Sequence, residues 1–387
     1  MATITAAPLQ EIAAAAPDVD RAGRFPDEAL QALARDGLLA LGVPPAWDGP
    51  GGGPREAAAA IEQVAGACAS AAMVYLMHVV ATQTLLAGAH PGSAGAAEGE
   101  AGGRGPCGDA LRAIAHGEHV TTLAYSERGS RGHFWAQVSR ARPDGDAVVI
   151  DADKSFATGA GHVDSYVLAT GAPGADDPLA TELYLVPAGA PGLTIPRRFD
   201  GLGLRGNASA PLELRGVRVG LDRRLGAAGS GLGLMLEVTL PWFVIGSAAC
   251  SVGIAGAALA AATEHATTAR FEHLGTTLAQ VPGVRARLAQ AAIRHAESRA
   301  LLYQVAGQVA DGAPEAQTGV LALKAAAAEM AVEVTDLCLR VGGGAAYAKH
   351  GPLERHFRDA RAASLMAPTT DLLHDFLGKA LCGLDLM

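Results

Sequence analysis

The chain has 387 residues, enough for a large core and for two or three domains. Half of the residues are apolar but only 4% are aromatic, so much of that half is alanine, which favours closely packed helices. A net charge of −9 argues against a nucleic-acid footprint, which takes the form of a basic patch or stripe. The five cysteines, Cys68, Cys107, Cys250, Cys338 and Cys382, are scattered and form no Cys-x-x-Cys pair. That distribution fits reduced thiols in a cytosolic protein, rather than a disulfide framework or a zinc site.

The opening "MATITAAPLQEI" has neither the basic nor the apolar region of a signal peptide. "FPDEALQALARDGLLALGV" carries apolar residues at helical spacing and breaks at "PPAWDGPGGG". "PREAAAAIEQVAGACASAAMVYLMHVVATQTLLAGA" predicts a second helical stretch, of one or two helices. Residues 90–109 are glycine-rich and aperiodic, which predicts a surface loop. From about residue 121 the period changes. "VTTLAYSE", "DSYVLATG", "TELYLVPA" and "LELRGVRV" are short, rich in β-branched and aromatic residues, and separated by turn signals such as "PDGD" and "GAPGADDP". They predict an antiparallel β domain. From about 229 the helical period returns. "LPWFVIGSAACSVGIAGAALAAA" is long enough to span a membrane, but it is made mostly of small residues and runs straight into "TEHATTARFEHLG". It reads as a helix buried in a bundle, so no membrane partner is expected.

"GLGLRG" at 201–206 fits the Gly-x-Gly-x-x-Gly dinucleotide fingerprint. That motif works only where it follows a strand and opens a helix. Here the strand-like "NASAPLELRGVRV" follows, so the Rossmann reading is declined.

Five blocks, in order, resemble the acyl-CoA dehydrogenase superfamily. "FPDEALQALARDGLLALGVPPAWDGPGGG" resembles its opening helix and Pro-Glu-Glu-Tyr-Gly-Gly turn. "AYSERGSRGHFW" sits where the family has Thr-Glu-Pro-Gly-x-Gly-Ser-Asp, although Gly132 and His133 replace the Ser-Asp pair. "DKSFATGAGHVDSYVLAT" resembles the Lys-x-Trp-Ile-Thr-Asn-Gly strand, and "GLGLRGNASAPLELRGVRV" the Gly-x-Arg-x-Ser-x-Thr stretch. "RVGGGAAYAKHGPLERHFRDAR" resembles the Gly-Gly-x-Gly-Tyr…Arg-Asp-Ala-Arg block. The resemblance implies an α+β multidomain protein: an N-terminal helical domain over 1–120, a middle antiparallel β-barrel-like domain over 121–228, and a C-terminal four-helix bundle over 229–387. It also implies FAD bound between the β domain and the bundle and shared across a subunit contact, in a homodimer or homotetramer.

By the same resemblance, Thr158 bonds near flavin N5, Ser126 and the backbone around Tyr125 face the pyrimidine end, and Phe156 forms the wall. Arg270 is the candidate for the pyrophosphate, Gly343 and Gly344 for the adenine end (after Arg340 in place of a Gln), and Thr369 for a position near the pyrophosphate. The family's catalytic Glu falls at Ala367, followed by Pro368 in place of Gly. A second base position used by some members falls near Phe243. Neither offers a carboxylate. His78 and Asp371 are the candidate replacement bases, with Glu127, Glu237 and His374 as further titratable groups.

The implied reaction is α,β-dehydrogenation of an acyl thioester, on CoA or on a carrier protein, with an electron-transfer partner or oxygen as acceptor. Two alternatives stay open. One is a flavin-dependent monooxygenase or N-hydroxylase on the same fold; the other is a catalytically silent flavoprotein partner.

Overall fold

A computed structural model describes residues 4–89, 105–177, 179–349 and 351–386. The expected loop over 90–109 lies largely outside the described residues; its last part, from Pro106, is already helical.

The N-terminal part is helical: α1 (Ala6–Ala22), α2 (Asp27–Arg35), α3 (Pro54–Ala67), α4 (Ala69–Ala89) and α5 (Pro106–Ala115). Local chemistry sets several of these ends. Gly23 closes α1 in the left-handed conformation. Pro54 opens α3, and the Glu56 carboxylate reaches back to accept from the Gly53 amide at 3.1 Å.

The strands follow as β1 (Thr121–Ala124), β2 (Arg142–Asp144), β3 (Ala147–Ala157), β4 (Ser165–Gly171), β5 (Thr181–Pro187), β6 (Leu193–Thr194), β7 (Ala210–Gly220) and β8 (Arg224–Leu225). They form two four-stranded sheets, ordered β1-β4-β5-β8 and β2-β3-β7-β6. The expected wholly antiparallel arrangement needs one correction. β1 pairs with β4 in parallel, in the register Thr121 with Ser165 and Ala124 with Leu168. The β2–β3 hairpin lies between them in the chain but belongs to the other sheet, so β4 returns to β1 by a crossover, which a parallel pairing requires.

Burial explains the strand patterns. β4 is buried at every position. Val167, Ala169, Leu183 and Leu185 face the helical core, while Tyr166, Leu168, Tyr184 and Val186 face the second sheet. A strand covered on both sides reads as a continuous apolar run. β3 is covered on one side and alternates.

The C-terminal part contains α6 (Gly231–Leu234), a π-helical turn over Met235–Thr239, α7 (Leu240–Thr268), a β9–β10 hairpin (Arg270–Phe271, Thr276–Thr277), α8 (Pro282–Ala310), α9 (Ala316–Ala346), α10 (Pro352–Asp359), α11 (Ala362–Leu365) and α12 (Thr370–Leu381). α7 packs against α3, α8 and α9. Two helical stretches, Ala69–Ala89 and Gly231–Thr268, are long and apolar enough to cross a membrane, and both are mostly buried inside the molecule. Small residues let α7 approach α3 at backbone distance. A Cβ added at Gly253 would stand 2.3 Å from the Glu62 carbonyl oxygen.

This close approach yields a prediction with a built-in control. Gly253→Ala should destabilise the fold by about 1–3 kcal/mol through overpacking. Gly283→Ala, in the first turn of α8 with open space around it, should be neutral or stabilising by up to about 1 kcal/mol. Denaturant unfolding of the two variants reads the difference.

Candidate active site

Sheets, bundle and N-terminal helices meet around a cavity of about 560 Å³, a volume suited to a small molecule or cofactor. β1 and the loop after it contribute Leu123, Tyr125, Ser126, Gly132 and Phe134. The end of β3 contributes Phe156 and Thr158. The start of α7 gives Leu240 and Phe243, and the 358–369 segment supplies Ala362, Met366, Ala367 and Thr369.

A buried ion pair joins the first two walls. Lys154 of β3 donates to Glu127 at 2.6 Å, and both side chains are almost fully buried. Lys154 also donates to the Tyr125 carbonyl and to Gln137. Glu127 accepts from the Val138 and Ser139 amides, each at 2.6 Å, and so holds the loop that carries Gly132 and Phe134. Burial pushes the Lys154 ammonium down, more than Glu127 pulls it back up. Burial also pushes the Glu127 carboxyl up, but the Lys154 charge and the hydrogen bonds from Lys154 and Ser139 outweigh that and leave it below its ordinary value. Glu127 is therefore a locked structural carboxylate, not a free base.

The 358–369 wall is anchored from three sides. Arg358 grips both Asp20 oxygens, at 2.9 and 2.6 Å, and also bonds Glu354. Asp359 accepts from the Leu204 amide at 2.7 Å. This contact draws in the "GLGLRG" segment, which is a loop leading into strand β7 and opens no helix. Glycine is required there, since a Cβ at Gly203 would meet the Arg358 carbonyl at 2.5 Å. From α9, the fully buried Lys324 donates to the carbonyls of Ala363 (2.8 Å), Met366 (3.0 Å) and Pro368 (2.8 Å). Its three donors are all used, and no carboxylate is paired with it in an ion pair among the described residues. Burial pushes the Lys324 ammonium down to about 7.

Of the residues expected at a flavin, Tyr125, Ser126, Phe156, Thr158 and Thr369 come together on this cavity. The Thr158 hydroxyl lies 3.2 Å from that of Ser209. Thr369 caps α12, its hydroxyl accepting from the Leu372 amide at 3.4 Å. Phe156 is half exposed and packs on Phe199 at 4.8 Å. Arg270, in the β9–β10 hairpin, and Gly343 and Gly344, at a kink near the end of α9, are exposed and do not line the cavity of the single chain.

The proposed replacement bases are not in the cavity. His78 is fully buried. Its Nε2 donates to the Leu39 carbonyl at 2.9 Å and its Nδ1 accepts from the Thr121 amide at 3.1 Å, which fixes a neutral tautomer. Desolvation pushes its pKa down to about 4, so His78 joins α4 to β1 and takes no substrate proton. Asp371 is exposed in the first turn of α12. His374 pairs with Glu329 at 3.2 Å, and Glu237 faces outward from the π-helical turn. Among the described residues, no Asp, Glu, His, Lys or Cys lines the cavity.

Sequence reasoning missed three features. One is Lys324, whose only signal is a solitary charge inside "LALKAAAAEM". The second is Phe199, which lies in a loop. The third is a chain of hydroxyls from Tyr125 through Thr239 to Thr84.

The residues present fit a flavin. A planar ring would find hydroxyl partners at Ser126 and Thr158 along the strand side and at Thr369 on the 358–369 segment, with the aromatic pair Phe156–Phe199 at the rim and an apolar floor.

Family models agree with this geometry. Residues 229–382 match the acyl-CoA dehydrogenase C-terminal domain and residues 3–91 the N-terminal domain. A probable acyl-CoA dehydrogenase of Mycobacterium leprae is 29% identical over 386 residues, covering 98% of this chain and 94% of that protein. The mitochondrial short-chain specific acyl-CoA dehydrogenase of Bos taurus is 28% identical over 363 residues, covering 94% and 84%. The solved structure of butyryl-CoA dehydrogenase from Megasphaera elsdenii superposes with a TM-score of 0.88 at 22% identity, covering 97% of this chain and 95% of that one.

Two substitutions test how the walls are held. Lys154→Met leaves Glu127 buried and unpaired and should cost about 3–5 kcal/mol of unfolding free energy; adding Glu127→Gln should recover part of it. Lys324 holds its proton less tightly in the fold, at about 7, than at its ordinary 10.5. Unfolding therefore takes up a proton between those values, and stability should rise as pH increases across that window. Lys324→Met should abolish that rise in denaturant titrations run across the window.

Proposed function

The chain belongs to the acyl-CoA dehydrogenase superfamily, and on that premise we propose that it is an FAD-dependent oxidoreductase acting on an acyl thioester, on CoA or a carrier protein. The reaction is α,β-dehydrogenation or a close variant, run without a carboxylate at either usual base position. The observation that carries the reading is one cavity lined both by flavin-type contacts (Ser126, Thr158, Thr369) and by apolar acyl-type residues (Met77, Leu123, Leu240, Phe243, Ala367).

FAD, when bound, supplies a hydride acceptor. The chain's own residues do the rest. The hydroxyls of Thr158 and Ser126 offer hydrogen bonds to the ring edge, and Phe156 with Phe199 closes one side. Thr369, at the N-terminus of α12, presents a hydroxyl and a helix end suited to an anionic group. Met77, Leu240, Phe243 and Ala367 exclude water from the acyl end, and Lys324 holds the Ala367 wall in place through its carbonyls. Arg270, Gly343 and Gly344 serve the cofactor of a second copy in a homo-oligomer, which accounts for their distance from this chain's own cavity.

A second reading is favoured by one specific observation. With no acid or imidazole among the described lining residues, the pocket lacks an ordinary general base, and flavin-dependent oxygenation asks for no such base.

One experiment separates the readings. The protein reconstituted with FAD should bind it and turn yellow, and a panel of acyl thioesters should bleach the flavin band under anaerobic conditions. Failure to bleach, together with reduction by a partner reductase and incorporation of oxygen into product, would give the oxygenase reading instead. A sample that retains no flavin would sink both.

A further inference from the structure

The acyl end of the cavity is apolar except at one place. Tyr125 and Thr239 both line it, among Met77, Leu123, Leu240 and Phe243. Leu123 and Tyr125 are two apart on the extended chain leaving β1 and so face the same side. Thr239 closes the π-helical turn Met235–Thr239 directly before α7, and such wide turns inside helices recur at functional sites.

The hydrogen bonds here have a direction. The Thr84 hydroxyl donates back to the Val80 carbonyl at 3.0 Å. Its proton is thereby used, and the single Thr239 proton has two acceptors in reach, the Thr84 oxygen at 2.8 Å and the Leu234 carbonyl at 3.3 Å. With that proton committed, the 3.2 Å contact between Tyr125 and Thr239 has the phenol as donor. The relay runs from Tyr125 through Thr239 to main-chain carbonyls, of Leu234 directly and of Val80 by way of Thr84, and it leaves lone pairs on the Tyr125 oxygen without a donor. Burial pushes the Tyr125 phenol well above its ordinary value, with the threonine hydroxyls opposing, so it stays neutral and the oxygen acts as a neutral acceptor.

An acceptor in an apolar wall calls for a donor on the ligand. An alkyl chain supplies none, and a carbonyl is itself only an acceptor. An ammonium would donate, but among the described lining residues there is no carboxylate to compensate its charge. A hydroxyl meets the requirement without a charge. Resting on the thioester reading above, we propose that the cavity selects a hydroxyacyl thioester, whose hydroxyl donates to the Tyr125 oxygen at the open end of the Tyr125–Thr239–Thr84 relay. Tyr125 is then a specificity-determining residue, and Thr239 a positioning residue that holds the phenol in its donor role.

The test uses the FAD-loaded full chain. Butyryl-CoA, 2-hydroxybutyryl-CoA and 3-hydroxybutyryl-CoA are titrated anaerobically, and the perturbation of the flavin absorption band is followed. One of the hydroxyacyl thioesters should bind about tenfold more tightly than butyryl-CoA, as expected for one well-made buried hydrogen bond. Tyr125→Phe, which keeps the ring and the backbone, should bring that ratio to within about twofold of unity, and Thr239→Val should reduce it. A purely structural role for the pair would shift all three thioesters together and leave the ratio standing. Equal binding of all three by the wild-type protein, or a preference that survives Tyr125→Phe, overturns this inference alone. A flavin-loaded protein that binds none of the three overturns the thioester reading and this inference with it.

Discussion

The site depends most on one buried contact, the ion pair of Lys154 with Glu127. β1 and β3 lie in different sheets, and the chain after β1 is tied to the end of β3 by this pair together with two backbone bonds, from the Arg128 amide to the Asp153 carbonyl at 3.0 Å and from the Ser155 amide to the Ser126 carbonyl at 2.9 Å. Lys154 takes the Tyr125 carbonyl and the Glu127 carboxylate together, and Glu127 in turn collects the amides of Val138 and Ser139. The charge pair and these backbone bonds together set the positions of Tyr125, Ser126, Gly132, Phe134, Phe156 and Thr158. Such a pair contributes little net stability compared with an apolar substitute, because both ions lose their water. Its effect is on placement: the carboxylate has enough acceptor sites to serve several donors at once, and a hydrophobic contact has no comparable directionality.

The opposite wall is held by a different device. At Ala367 the wall presents only a methyl group to the cavity, and its ordering falls to Lys324 behind it. The ammonium is bound by three carbonyls of the segment it fixes. Arg358 and Asp359 add ties to α1 and to the 201–206 loop. The cavity thus has a rigid frame and an unreactive face. That combination suits a site in which a bound cofactor does the chemistry and the protein supplies orientation and dryness.

Much of the fold was legible in the sequence because its elements carry clear periods. The amphipathic α2 and the alternating β3 follow the patterns expected of half-buried elements. The wholly apolar α7 and β4 gave only their burial, and periodicity carries no information about which neighbours cover a fully buried segment. That is why the parallel pairing of β1 with β4 was invisible. In the site, Ser126, Thr158 and Thr369 could be placed because each sits in a recognisable block. His78 stayed open between a base and a core residue because a histidine in a helix looks the same in sequence whether its nitrogens are free or, as here, both engaged by backbone. Lys324 and the Tyr125–Thr239–Thr84 relay join residues between 39 and 155 positions apart, and no local spacing rule reaches that far.

The clamp at Lys324 has a consequence for how this protein can change over time. Its grip falls on main-chain oxygens, which every amino acid possesses, so the hold on the wall does not depend on which side chains occupy 363 and 366, while at 368 the proline ring itself fixes the backbone angle. Side chains along that strip can drift, or be exchanged by an engineer, while the shape they hang on stays put.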